Sequence, residues 1–148
     1  MRLSRTIAYA IHATMYLAQS EPGRAVPCRE MAQGGRMPER FLLQVLRNLV
    51  THGVLRSTRG VDGGYSLARP SEQITFREII EAFDNPLVPE APILDGQSMA
   101  VRNCILDNLG RASQAAKDQL QTLTVADLMQ ADGGRSPEQP EPHSHARS

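Results

Sequence analysis

The sequence predicts a mainly α fold carrying one small β-hairpin, and three features predict it. Apolar residues recur at helical spacing three times within the first fifty residues. The period then changes to short β-prone runs around Val54, and after residue 98 one apolar stripe runs on to Leu123. A chain of 148 residues is long enough for one ordinary domain, or for a small domain with a helical extension. Aromatics make up only 4% and there is no Trp, so the core must rest on Leu, Ile, Val, Met and Ala.

The first helix is expected over Leu3–Ala18, where Leu3, Ile7, Ile11, Thr14/Met15 and Leu17/Ala18 share a face, and Glu21-Pro22-Gly23-Arg24 breaks it. A short helix from about Pro27 to Gln33 should end at Gly34-Gly35. Pro38 reads as the first-turn proline of a third helix that runs to His52 and stops at Gly53, with Leu42, Val45, Leu46 and Leu49 turned inward. Two helices joined by a tight glycine turn form a helix-turn-helix. Val54–Thr58 and Tyr65–Ala68 then flank Arg59-Gly60-Val61-Asp62-Gly63-Gly64, a hairpin with a glycine-rich tip. That order is a winged helix-turn-helix with a two-stranded wing.

Beyond Pro70, Thr75 and Glu78 spell a T-x-x-E capping box, and Ile74 with Ile79 sit where a hydrophobic staple places them; this helix should end near Phe83. Residues 84–97 contain Pro86, Pro89 and Pro92 and read as a loop, the linker or sensor region. A long C-terminal helix follows from Ser98 to Gln121, about 36 Å at the usual rise. Its stripe of Ile105, Leu109, Ala112, Ala116, Leu120 and Leu123 is longer than a small domain needs, so a second copy of the chain is the simplest partner: a dimerisation helix. Thr124–Asp127 opens a last short helix to about Gln130. The expected division is therefore 1–83, 84–97, 98–131 and a disordered tail over 132–148.

Composition removes several functions. No run approaches the roughly 18–20 apolar residues of a membrane span, the N-terminus leads into an amphipathic segment, and two distant cysteines cannot form a disulfide scaffold. A cytoplasmic protein without membrane partners is expected. No nucleophile–base pair, phosphate loop or paired carboxylate supports an enzyme. The charges cancel overall, yet residues 1–70 hold ten Arg against four acids and residues 71–148 hold six bases against twelve acids, +6 against −6. The N-terminal half is built to meet an anion, and double-stranded DNA is the expected partner.

The second helix of a helix-turn-helix offers its N-terminal half to the major groove. Its outward residues are Arg40, Leu43, Gln44, Arg47, Asn48 and Thr51. Arg suits guanine, Gln suits adenine, and Leu43 can meet a thymine methyl. Glu39 either complements the helix dipole or accepts from cytosine. On the wing, Arg56, Ser57, Thr58, Arg59 and Gly60 are the candidates, with Arg59 at the tip for the minor groove or a phosphate. Gly63 and Gly64 serve either close backbone approach or a turn needing positive φ. Arg2 and Arg5 either touch the DNA backbone or are simply solvated.

The stretch Phe41–Pro70, with Leu55-Arg56-Ser57-Thr58-Arg59-Gly60 followed by Gly63-Gly64-Tyr65-Ser66-Leu67-Ala68, resembles the Rrf-two family of winged-helix transcriptional regulators, IscR-like and NsrR-like proteins among them. The opening Met1-Arg2-Leu3-Ser4, the helix Ile74–Phe83 and the segment Thr124–Leu128 are similar to it as well, so the likeness covers about residues 1–130. It implies a sequence-specific homodimer on a palindromic operator, a repressor or an activator, with a seam formed by the long helix and an effector of unstated identity. Many members hold an iron–sulfur cluster on three cysteines in the loop and long helix. Here residues 84–103 contain none and Cys104 stands alone. No cofactor and no metal site are expected; His12 and Cys104 are the nearest candidates for an atypical ligand set, against a packed His12. Cys28 at a helix start is either redox-active or a small core residue. The competing functions are an atypical iron–sulfur or redox-sensing regulator, and an adaptor whose winged helix binds a partner enzyme.

Overall fold

The computed structural model describes residues 2–83, 87–91 and 95–133, so the expectation of a disordered tail lies, from residue 134 on, outside the described residues. Helix α1 (Arg5–Gln19) starts on Ser4, whose hydroxyl accepts from the Ile7 amide, and buries Ile7, Ala10, Ala13, Thr14 and Leu17. Helix α2 (Cys28–Gly35) and helix α3 (Glu39–Thr51) follow, and α3 buries the four predicted residues Leu42, Val45, Leu46 and Leu49. Pro38 proves to be the cap residue before α3 rather than its first turn. Its fixed φ suits either place.

Strands β1 (Leu55–Thr58) and β2 (Gly64–Leu67) pair antiparallel, with Leu55 opposite Leu67 and Thr58 opposite Gly64. A third piece was not anticipated. Val26 exchanges both backbone hydrogen bonds with Tyr65 at 2.8 Å, which ties the turn before α2 to the far edge of the wing. This is why Gly64 has no side chain: a Cβ there would lie 2.4 Å from the Val26 carbonyl carbon. Gly64 also takes the expected positive φ, at +152, as does Gly60 at +111, whereas Gly63 is needed for space, since a Cβ would sit 2.4 Å from the Thr58 oxygen.

Helix α4 (Phe76–Glu81) has the predicted capping box, with Thr75 and Glu78 satisfying each other's amides, and Ile74 and Ile79 both fully buried in one core. Helix α5 (Met99–Gln121) starts on Ser98, and helix α6 (Val125–Ala131) starts on a second capping box, Thr124 with Asp127. The two cap residues face each other. The Phe76 amide donates to the Leu123 carbonyl at 2.7 Å and the Val125 amide to the Ile74 carbonyl at 2.9 Å, an isolated β-bridge that returns α6 to the core of the N-terminal helices. Val125 is fully buried there.

The stripe on α5 divides. Ala116 and Leu120 pack within their own chain against Ile7, Ile80 and Leu87, and the Ser113 hydroxyl donates to the Leu87 carbonyl. Ile105, Leu109 and Ala112 are exposed, together with Met99 and Val101. A stripe left open along its whole length is thus corrected: at about 100° per residue these positions stay on one face of the helix, and only the C-terminal part of that face meets α1 and α4. No residue of α5 is fully buried.

Candidate nucleic-acid interface

Two elements project from the helical core side by side, and the backbone fixes their relation. The Val54 amide donates to the Leu49 carbonyl at 2.9 Å and the Ala68 amide to the Val54 carbonyl at 3.1 Å. With Val54 and Leu55 buried, the wing is welded to the end of α3.

On α3, Arg40, Gln44, Arg47 and Thr51 are exposed along one line. Leu43 and Asn48 are half-buried on opposite flanks. Asn48 lines a cleft of about 270 Å³ with Ser4, Thr6, Ala82 and Phe83, so it faces the start of α1 more than the solvent in front of α3. The flank is fixed by Phe41, whose ring meets Tyr9 of α1 edge-on, centroids 5.4 Å apart. Sequence reading assigned Asn48 by helical periodicity alone and could not see α1 beside it. On the wing, Arg56, Ser57, Thr58, Arg59 and Gly60 are all exposed, and the tip closes on a 3.0 Å bond from the Gly63 amide to the Gly60 carbonyl.

The arginines fall into two sets. Arg24 pairs with Glu30 at 2.7 Å and Arg69 with Glu78 at 2.5 Å. Arg40, Arg47, Arg56 and Arg59 make no ion pair among the described residues. Arg77 pairs with Glu81 at 3.0 Å as well, whereas the four arginines of α3 and the wing keep their charge free, as Arg5, Arg29 and Arg36 do elsewhere. Such a surface can neutralise phosphates and offer planar donors to base edges, and among the described residues nothing on it resembles a catalytic group.

The candidate ligands lie on different elements. Cys28 is half-buried in the helix-turn-helix, its thiol donating to the Glu39 carbonyl at 3.7 Å. Burial and the neighbouring Glu39 carboxylate push this thiol up, against any lowering by the helix start. Cys104 is exposed on α5, with the Asn108 amide 3.8 Å from its sulfur. His12 is exposed as a residue, yet its ring lies against Gly35, where a Cβ would come within 2.7 Å of Nε2; this partial desolvation lowers its pKa. Among the described residues no three His, Cys, Asp or Glu side chains gather as a metal site. Two thiols in the whole chain, one on α2 and one on α5, do not fit a cysteine-held cluster that needs four ligands.

Residues 3–131 match the family described as Rrf2, iron-dependent transcriptional regulator. A helix-turn-helix-type transcriptional regulator of Mycobacterium tuberculosis is 34% identical over 140 residues, covering 93% of this chain and 85% of the relative. The regulator CymR of Bacillus subtilis is 27% identical over 128 residues, covering 86% and 89%. The solved structure of that CymR, described as the global cysteine regulator, superposes with a TM-score of 0.69 at 26% identity, covering 88% of this chain and 98% of the other. The IscR of T. potens shares the fold, with a TM-score of 0.65 at 22% identity over 96% of this chain and 94% of the other. No helix among the described residues is long and apolar enough to cross a membrane.

Proposed function

Since the chain belongs to the Rrf2 family of DNA-binding transcriptional regulators, we propose that it acts as a homodimer on a palindromic operator and needs no iron–sulfur cluster to bind it. The observation that carries this reading is the exposed, unpaired cations on two adjoining elements: Arg40 and Arg47, with Gln44 between them, on α3, and Arg56 and Arg59 on the wing. In this reading α3 lies in the major groove, Gln44 and Arg47 read base edges, and Arg59 follows the adjacent backbone or minor groove. Leu43 supplies an apolar edge from its half-buried flank. Asn48 supports the helix from the side of α1.

The second copy is supported by the exposed apolar face of α5, where Val101, Ile105, Leu109 and Ala112 share a side that their own chain leaves open. Ala116 and Leu120 then contribute from beneath, by holding α5 against α1 and α4. An isologous pairing along α5 fixes the distance between two recognition helices, and so the half-site spacing. A signal acting on residues 84–104 would change operator affinity by changing that distance.

The test is operator selection followed by binding titrations on the palindrome, its half-site and a scrambled duplex over a range of salt. Steep salt dependence with preference for the palindrome supports the reading. Salt-independent or absent duplex binding would instead favour an adaptor that binds a partner protein.

A further inference from the structure

The turn between α2 and α3 contains the one non-glycine residue with positive φ among the described residues, Arg36 at φ 51 and ψ 42. Its backbone is locked. The Met37 amide donates to the Ala32 carbonyl at 3.0 Å and the Arg36 amide to the Gln33 carbonyl at 3.5 Å, the paired bonds of a Schellman ending. Met37 and Ala32 are both buried beneath it, the apolar contact that accompanies such an ending. This position favours glycine, because a Cβ crowds the left-handed conformation.

Two glycines stand immediately before it, but both are committed to another task. A Cβ on Gly34 would lie 3.1 Å from the Tyr16 ring, and one on Gly35 would lie 2.6 Å from the Met37 methyl and 2.7 Å from His12 Nε2. They let α1 close on α2, and the left-handed residue falls one place later, on an arginine. That arginine is exposed and its side chain makes no hydrogen bond or ion pair among the described residues. Within the protein, then, the strained conformation is held by backbone bonds and the Met37–Ala32 contact alone, and the arginine side chain adds nothing to it. The turn sits two residues ahead of the Pro38 cap, next to the half of α3 that carries Arg40 and Gln44.

We propose that Arg36 is a DNA-backbone contact, a phosphate clamp at the helix-turn-helix turn that positions the N-terminal half of α3. It rests on the DNA-binding reading above. The locked backbone spares the cost of ordering the turn when the guanidinium meets a phosphate, and the planar fork gives two parallel donors. It carries no base information, so its effect is uniform across sequences.

The measurement is duplex binding by the full-length protein, wild type against Arg36→Gly, Arg36→Asn and Arg36→Lys, with thermal unfolding in parallel. Glycine relieves the strain and asparagine tolerates the left-handed conformation without charge. The expected result is retained or raised stability in Arg36→Gly with affinity lowered roughly five- to tenfold per protomer at 0.1 M salt, equally on operator and scrambled DNA. The slope of log K against log salt should fall by about 0.9 per protomer in both neutral variants and be kept in Arg36→Lys. Neutral variants that bind with wild-type affinity and slope overturn the assignment of Arg36 alone. A wild type with no salt-dependent DNA binding overturns the DNA-binding reading and the clamp together.

Discussion

Replacing Ile105 and Leu109 together by Glu is the sharpest test of the α5 seam. The two side chains are 42% and 40% exposed in the protomer. Fully burying an Ile or Leu contributes about 1.5–3 kcal/mol, so the remaining two-fifths is worth about 0.6–1.2 kcal/mol for each. A two-fold dimer buries four such side chains, about 2.5–5 kcal/mol in total. Removing it weakens association by about two to three and a half powers of ten, before any cost of bringing four carboxylates into an apolar seam. Because both positions lie outside the protomer's core, the variant keeps its helical content and its protomer fold. Sedimentation equilibrium should show dimeric wild type and monomeric variant at micromolar concentration. The palindrome should then bind the variant no better than two independent half-sites. A wild type that is itself monomeric, or a variant that associates as the wild type does, would refute the reasoning.

Other outcomes follow from the same geometry. Gln44→Ala and Arg47→Ala should relax preference at individual base pairs by about 1–3 kcal/mol for each lost bidentate contact, whereas Arg59→Ala should weaken all duplexes alike; selection on randomised operators separates the two patterns. Gly64→Ala should lower the melting temperature and DNA affinity together, since its Cβ collides with the Val26 backbone and unpins the wing. Burial disfavours the Glu78 carboxylate, but the Thr75 amide and hydroxyl and the Arg69 guanidinium outweigh it and lower its pKa below 4.5. Its stabilisation is present above that value and is lost as pH falls through the lowered folded value, so Glu78→Gln should flatten the acid limb of the unfolding profile below about pH 4.5. Protein purified without oxygen should lack visible absorption and stoichiometric iron, and Cys104→Ala should leave DNA affinity unchanged; iron and sulfide lost on that substitution would contradict a cluster-free regulator.

Much of this fold was legible because local chemistry decides it. T-x-x-E at Thr75 fixes a helix start without tertiary help, and the inward spacing of Leu42, Val45, Leu46 and Leu49 orients α3, and with it Arg40, Gln44 and Arg47. What escaped depends on neighbours. Asn48 follows the same periodicity as Gln44 yet lines the cleft with Ser4 and Thr6, beside the flank where Phe41 meets Tyr9 of α1. Leu106, absent from the expected stripe, is half-buried on α5, while Leu109, within it, is exposed. Periodicity finds the apolar side of a helix but does not say which part meets its own chain. The residue that ends α2 was misplaced for a similar reason. Glycines usually occupy left-handed endings, but Gly34 and Gly35 answer to Tyr16 and His12 on another helix.

The bridge between the two capped helix starts has a consequence for synthesis. Thr75 and Thr124 are 49 residues apart (124 − 75), and until the second emerges the Ile74 carbonyl and the Phe76 amide lack their partners. Val125, which completes the core shared with α1 and α3, is equally late. At about 5–20 residues per second, a ribosome that has finished α4 needs several seconds more to deliver the closing strand of that bridge. Recognition helix and wing are thus translated well before the contacts that complete their core, and a chain cut short within α5 would carry all the arginines of the interface on an open core.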